Sequence, residues 1–588
     1  FASYDCYDAN QNDFEGYELE AGDYQIKLMT DSHNVKKVKK GGDTEDGVFT
    51  LKVTEDIKLR KDKYTGADVV NRFTGDSAAE TEPIDGSAAA TPVEYISRKS
   101  FPDPYTFKRT PDRAMTAAEK EYNLYNSSYA NAWNNAEFDI VGNPVDKSPV
   151  TWNSGGSLKV YENGALTELG NKLAADYDAP EWKSVLDQVS ISEALALAEN
   201  GAFNNAAVPS IGKPRLTDYD GPSQVRSFNA GSDKGTGFPC SGTMSQTWSK
   251  SLVYSFGLNY GKEMDALGVN GAYAFGCNLH RSPFAGRNYE YLSEDGFLTA
   301  ELLTQEVKGL KNIGKYTYLK HLILGEVEHD RDAMYTWLTE QALREIYLKP
   351  FQMAVEQGGC VGIMSSYNRI ANVWTGGCET LITGILRNEW GFNGSIVTDY
   401  SDRPKYMCGD HSVRAGGDLS MNAKFHYGTI NESAVKENPR LAHQLREVVH
   451  HVTYAFLSAQ YANANYNADE DVDAFYSSSA TSSWVWWKPL LACIDILVFA
   501  GAAIGLYFLI MPRYVITGKR KTAAASGEID ITSDTAPEQN SETAETQDTA
   551  VAVETAVQTE QVTRASERSR TERKKRNDGQ NDNGGKNA

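Results

Sequence analysis

At 588 residues the chain is too long for one domain and suits two or three joined by linkers. Its composition, 40% hydrophobic and 11% aromatic, is that of a folded protein. The net charge of −21 argues against nucleic acid as a partner, because phosphate binding needs clustered Lys and Arg. The seven cysteines include no CxxC pair and no zinc-like spacing, so no metal centre is expected; an odd count leaves at least one thiol unpaired within the chain. The first residue is Phe1 and no signal peptide is visible, so a processed chain or a missing upstream part is expected.

Residues 1–40 alternate like strands. Tyr17-Glu18-Leu19-Glu20 and Tyr24-Gln25-Ile26-Lys27-Leu28 are parted by Gly22-Asp23, a turn pair. So few strands are not independently stable and read as the end of a β-sandwich. Residues 41–180 are irregular and form a connecting region, with a helical patch near 114–123. From 181 to 460 short apolar runs alternate with amphipathic stretches. The runs include Gly271-Ala272-Tyr273-Ala274-Phe275, Tyr316-Thr317-Tyr318-Leu319, Val361-Gly362-Ile363-Met364 and Ser395-Ile396-Val397. Between them, Leu338, Ala342 and Ile346 recur at helical spacing. Alternating βα units predict a parallel sheet, and the length suffices for a (β/α)8 TIM-like barrel.

A juxtamembrane linker is expected over 461–489. Residues 490–511 are apolar except for Asp495, and as a helix would reach about 33 Å, enough to span a bilayer. Trp484, Trp486 and Trp487 precede this stretch, and Arg513, Lys519, Arg520 and Lys521 follow it. The expectation is a single-pass protein of the cell membrane, with the barrel extracytoplasmic and the C-terminus cytoplasmic. The tail, 512–588, is low in complexity and ends in a basic run over 564–576; it is expected to be disordered.

Each strand-like run ends in polar groups. Asn278, His280, Arg281 and Arg287 follow the first, Lys320-His321 the second, Ser365-Ser366-Tyr367-Asn368 the third, and Asp399-Tyr400 the fourth. Upstream, Asp218-Tyr219-Asp220-Gly221-Pro222 offers carboxylates at a turn. In a parallel barrel such groups converge on one rim, where chemistry is done. Singly, each has a plain structural reading; their repetition at successive strand ends points to a site for a polyhydroxylated ring. Asp399, a carboxylate released by a β-branched run, is the candidate nucleophile.

Residues 181–425 resemble the barrel domain of glycoside hydrolase family 3, the β-glucosidases and their relatives. The resemblance rests on Asp218-Tyr219-Asp220-Gly221-Pro222, Asn278-Leu279-His280-Arg281-Ser282-Pro283 with Gly286-Arg287-Asn288-Tyr289-Glu290-Tyr291, Lys320-His321, Arg344-Glu345-Ile346-Tyr347, Met364-Ser365-Ser366-Tyr367-Asn368, Asn388-Glu389-Trp390-Gly391-Phe392, Val397-Thr398-Asp399-Tyr400 and Ala415-Gly416-Gly417-Asp418. It implies a retaining hydrolase of β-glucosides or related β-linked sugars, with Asp399 as nucleophile. Asp220, Arg287, Lys320, His321 and Tyr367 would bind the sugar, and the Lys320 cation would help keep Asp399 ionised. No cofactor is implied.

The resemblance also implies a permuted bacterial arrangement, in which an α/β sandwich and a fibronectin type III-like domain precede the barrel. Residues 1–40 would be the end of the latter. The general acid/base of the β-glucosidase branch comes from the sandwich, so it is expected outside this chain, on a separate domain or chain. Glu290, Glu294, Glu326 and Glu328 are local substitutes that nothing in the sequence ranks. Lys320-His321 runs into Leu322-Ile323-Leu324-Gly325 where the family often has Asn, Asp or Gln before Glu, and the N-acetylglucosaminidase motif is absent. The alternative reading is a catalytically incomplete sugar-binding or scaffold half.

Overall fold

The computed structural model describes residues 2–5, 14, 16–31, 33–73, 96–97, 127–227, 235–401, 406–421, 429–468, 471, 493–504 and 507. The chain divides into two units, Phe1–Ser483 and Trp484–Ala588. The expected helical patch at 114–123 and the tail from 512 lie outside the described residues.

The first unit is organised by parallel strands. Leu216–Asp220 pairs with Gly271–Tyr273, which pairs with Tyr316–Thr317. The chain continues into Leu319–Leu322, which pairs with Gly362–Ser365, and that strand pairs with Ser395–Val397. All of these pairings are parallel. Val397 bridges Leu419, and Ser420 exchanges backbone hydrogen bonds with Ala198 and Gly201. The next residues, Asn204–Asn205, pair with Leu216–Asp220 and close the ring.

Five helices take the crossover positions between or after these strands: Lys250–Ala266, Gly296–Asn312, Lys349–Glu356, Thr380–Glu389 and Gly409–Arg414. Alternating βα units are therefore present, though among the described residues there are fewer than eight. Among the described residues the ring has seven segments, and Asn204–Asn205 runs antiparallel to its neighbour. The reason is chain length. Parallel neighbours need a crossover of a dozen or more residues, and too few lie between Asn205 and Leu216. Helices Lys250–Ala266 and Gly296–Asn312 touch through Gly257 and Gly309; a Cβ on Gly309 would meet the Tyr254 carbonyl at 2.3 Å.

The strand that ends before Asp399 is held by one buried carboxylate. Asp418, 0% exposed, accepts from the Ile396 amide at 2.7 Å, from Arg387 Nη2 at 2.7 Å and pairs with His451 Nδ1 at 2.8 Å. Arg387 also donates to the carbonyls of Phe392, Gly394 and Gly416. Strand Ser395–Val397, helix Thr380–Glu389 and the long helix Pro439–Ala464 thus share one ionic joint.

The N-terminal strands continue to Ile57–Leu59 in antiparallel pairs. They attach to the barrel through Arg344, which is buried with Glu340 and Glu389. Glu340 accepts from the amides of Arg72 and Phe73 at 3.0 Å, Arg344 donates to the Val70 carbonyl, and the Tyr4 ring lies 4.8 Å from the Arg344 guanidinium. The Arg344-Glu345-Ile346-Tyr347 and Asn388-Glu389-Trp390 motifs are therefore the attachment points of the preceding strands.

The expected transmembrane span is corrected. Among the described residues no helix is long and apolar enough to cross a membrane. The single-pass anchoring and the inside–outside assignment that depended on the span fall with it.

Two outcomes follow for stability. Replacing Asp418 by Ala leaves Arg387 buried without its carboxylate and is expected to cost about 3–5 kcal/mol, read as a lower urea midpoint. Glu356 is pushed from its ordinary 4.5 up to about 8, by burial first and by Asp62 beside it. A carboxyl that holds its proton more tightly when folded weakens the fold as pH rises from 4.5 toward 8. Glu356→Gln should therefore raise the unfolding midpoint at pH 8 and leave it unchanged near pH 4.5.

Candidate active site

The polar groups expected at the strand ends converge. Asp220 ends Leu216–Asp220; Lys320 and His321 lie within Leu319–Leu322; Tyr367 follows Gly362–Ser365; Asp399 follows Ser395–Val397. Arg287 stands on the loop after Gly271–Tyr273, just before the turn of helix Asn288–Glu290.

Lys320 Nζ is 2.8 Å from Asp220 Oδ1 and 3.9 Å from Glu290 Oε2. Arg287 grips Glu290 with two nitrogens, at 2.9 and 2.7 Å. Its third nitrogen is 3.6 Å from Glu328. Asp399 Oδ1 accepts from the Tyr400 amide at 2.7 Å, and its Oδ2 is 3.7 Å from His321 Nε2. Tyr367 donates its hydroxyl to the Tyr400 carbonyl. His321 is set by Asn278, whose amide oxygen accepts from the His321 N–H at 2.9 Å and whose amide nitrogen donates to the His321 carbonyl.

Burial decides the charges unless a partner overrules it. Burial pushes Asp220 up, but Lys320 outweighs it and the carboxyl ends below its ordinary range. Glu290 is likewise pushed up by burial and brought below its ordinary range by Arg287 and Lys320. Burial, followed by Arg287, Lys320 and Arg331, drives His321 far below the usual imidazole range. Its approach to Asp399 is thus that of a neutral ring, not an ion pair. Asp399 is raised by burial, against the pull of Arg331, the Tyr400 N–H, Arg287 and Lys320.

The four local glutamates are occupied in other ways. Glu290 is the partner of Arg287. Glu328 lies between Arg287 and Arg331, 3.2 Å from the latter. Glu326 is 1% exposed, held by Asn278, and burial raises its carboxyl above the ordinary range. Glu294 is exposed on the surface, beside Asp295, whose side chain caps helix Gly296–Asn312.

Sequence reasoning named Glu290 without its role; its i,i+3 spacing from Arg287 was the available signal. It passed over Asn278 as the brace of His321. It also passed over Arg331, whose guanidinium lies 4.1 Å from the Tyr367 ring. That residue sits on an irregular loop, where no periodicity marks it. Several large aromatics are exposed on the surface, among them Trp248, Phe284, Tyr289 and Tyr400. Two of them adjoin the site in sequence, Tyr289 beside Glu290 and Tyr400 beside Asp399.

The Glycosyl hydrolase family 3 N terminal domain matches residues 224–453. The chain is 34% identical over 275 residues to a protein of Aspergillus clavatus named "Probable beta-glucosidase I", covering 46% of this chain and 32% of that protein. It is 33% identical over 244 residues to "Beta-glucosidase" of Rhizobium radiobacter, covering 40% of this chain and 29% of that one. The chain thus spans about a third of the length of these curated relatives. Among solved structures, a β-glucosidase from Paenibacillus barengoltzii shares the fold with a TM-score of 0.54 at 23% identity, over 78% of this chain and 47% of that one. β-Glucosidase 3B from Thermotoga neapolitana, in complex with α-D-glucose, matches at 28% identity with a TM-score of 0.43, over 49% of this chain and 44% of that one. Residues 224–453 are thus similar to the Glycosyl hydrolase family 3 N terminal domain, and the fold is TIM-barrel-like.

The electrostatics of His321 are directly measurable. Its ring nitrogens should keep neutral-imidazole ¹⁵N shifts down to about pH 5, where a free histidine is mostly charged. Histidine-labelled protein with His321→Gln for assignment checks this.

Proposed function

We propose that this chain carries the nucleophile half of a retaining β-glycoside hydrolase, with β-glucosides or related β-linked sugars as substrates. The observation that carries the reading is the placement of Asp399. It is a nearly buried carboxylate, 13% exposed, at a strand end beside a neutral histidine and a lattice of charged hydrogen-bonding groups. The names of the relatives support the choice of sugar.

In the proposed reaction Asp399 Oδ attacks the anomeric carbon from the face opposite the leaving oxygen. The C1–O bond breaks, and the leaving oxygen takes a proton from an acid. A water then gives a proton back to the conjugate base of that acid and attacks the same carbon; the C1–O bond to Asp399 breaks, its electron pair returns to Asp399, and the original configuration is restored. Asp220, Arg287, Lys320, His321 and Tyr367 hold the ring. Asp220 accepts from sugar hydroxyls while Lys320 keeps it ionised, and Arg287 and Lys320 donate to hydroxyl oxygens.

The acid is assigned to a separate α/β sandwich domain or chain. Glu290 is tied to Arg287, which with Lys320 brings it below the ordinary carboxylate range, and Glu328 is paired with Arg331. The same observation supports the second reading, in which the chain alone is a sugar-binding half that turns over only when its partner is supplied. The N-terminal strands fit one layer of a fibronectin type III-like sandwich placed before the barrel. Their paired residues Ile26 and Phe49 share a face and are exposed, as is Leu51, as a second sheet would require.

Inactivation by 2,4-dinitrophenyl 2-deoxy-2-fluoro-β-glucoside, whose leaving group needs no acid, tests the nucleophile. Mass spectrometry should place the adduct on Asp399; a label on another carboxylate would overturn the assignment. Asp399→Asn should lower kcat/KM for dinitrophenyl glucoside by about four to six orders of magnitude. Without an added domain, alkyl glucosides should be cleaved far more slowly than the dinitrophenyl substrate, since general acid help is worth about 10²–10⁴-fold. Glucose binding with neither labelling nor turnover would favour the binding half.

A further inference from the structure

The two nitrogens of the His321 ring face different partners. Nε2 is 3.7 Å from Asp399 Oδ2, and Nδ1 is 3.5 Å from the hydroxyl of Tyr291. Asn278 clamps the backbone of His321 on both sides, accepting from its N–H at 2.9 Å and donating to its carbonyl at 3.1 Å. Burial keeps the imidazole neutral, so one nitrogen carries a proton and the other a lone pair. Which is which decides whether Asp399 faces a donor or an acceptor.

Tyr291 is built into its place. It is fully buried, its backbone bridges Gly276 in parallel, and its carbonyl meets His280 Nε2 at 2.9 Å. Its ring lies so close to Gly276 that a Cβ there would come within 2.7 Å of Tyr291 Cδ1. In such a setting the phenol keeps its proton and is always able to donate. The hydroxyl has two neighbours, the Gly325 carbonyl at 3.3 Å and His321 Nδ1 at 3.5 Å. Two long contacts from one O–H are the geometry of a three-centre hydrogen bond, in which both neighbours accept. The opposite arrangement, with the ring proton on Nδ1, would turn the lone pair of Nε2 toward a carboxylate. Two acceptors would then face each other in a buried site, where the mismatch is costly.

We propose that Tyr291 is a positioning residue: its hydroxyl donates to Nδ1 of His321 and fixes the ring as the Nε2–H tautomer, so that an N–H and not a lone pair is turned toward Asp399. At 3.7 Å this N–H is too far from Asp399 Oδ2 for a hydrogen bond, but its dipole favours the charged carboxylate. A sugar hydroxyl that meets Nε2 meets a donor and has to accept. For catalysis the proposal rests on Asp399 being the nucleophile; the tautomer of His321 does not depend on that reading.

The test reads the ring itself. Full-length protein labelled with ¹⁵N-histidine, with His321→Gln for assignment, gives the protonation of each nitrogen from its shift at about pH 7. Nε2 should be protonated and Nδ1 bare, with Nδ1 displaced upfield of an unbonded imidazole nitrogen by the hydroxyl. A protonated Nδ1, alone or together with Nε2, would overturn the proposal. So would a bare Nδ1 with the shift of an unbonded nitrogen, and neither outcome needs a variant that folds. Tyr291→Phe should abolish the upfield displacement. It should also lower the ratio of Nε2–H to Nδ1–H tautomer, and the rate of inactivation by the dinitrophenyl 2-fluoro-glucoside, each by about three- to tenfold, the range of one hydrogen bond. Nitrogen shifts unchanged in Tyr291→Phe would refute the assignment, and shifts that move at an unchanged inactivation rate would refute its part in catalysis. Shifts as expected with no inactivation even of the unsubstituted protein would instead sink the nucleophile assignment and leave the role of Tyr291 standing.

Discussion

The active rim depends on a joint that lies beneath it. Asp418 is fully buried and joins the Ile396 amide, Arg387 and His451. Arg387 in turn holds the carbonyls of Phe392 and Gly394, which lead into the strand Ser395–Val397. A buried carboxylate is tolerable only when paired and hydrogen-bonded, and here each partner comes from a different element. Three residues above Ile396 stands Asp399. Its position is therefore inherited from a network that never touches a substrate.

The pocket above follows a different rule. Its side chains are arranged so that each buried charge has a specific counter-charge, and Asp399 is the member with the least direct compensation. Asp220 and Glu290 are kept ionised by Lys320 and Arg287, whereas burial dominates at Asp399 and His321. A carboxylate that is ionised but poorly solvated is a better nucleophile than one neutralised by a tight ion pair. The same arrangement favours the carboxylate form of Glu290.

The family motifs divide between these tasks. Lys320-His321, Asp220 and Arg287 belong to the rim. Arg344 and Glu389, equally prominent in the sequence, instead bind the N-terminal strands to the barrel. Motif recognition alone did not separate the two groups, because both are charged residues next to apolar runs. Only the directions of their side chains distinguish a residue that faces a cavity from one that faces a neighbouring domain.

By itself the sequence determined the local features: alternating βα units, polar groups at successive strand ends, and Asp399 at the end of a β-branched run. These are legible because periodicity and turn chemistry act over a few residues. Tertiary structure decided what depends on closure. It made Asn204–Asn205 an antiparallel return, because the connection to Leu216 is too short for a crossover. It joined Glu290 to Arg287 and committed Lys320 to Asp220. It brought Arg331 over Tyr367 from an irregular loop with no pattern to reveal it. Charge states were the least legible, because burial and distance exist only once the chain has folded.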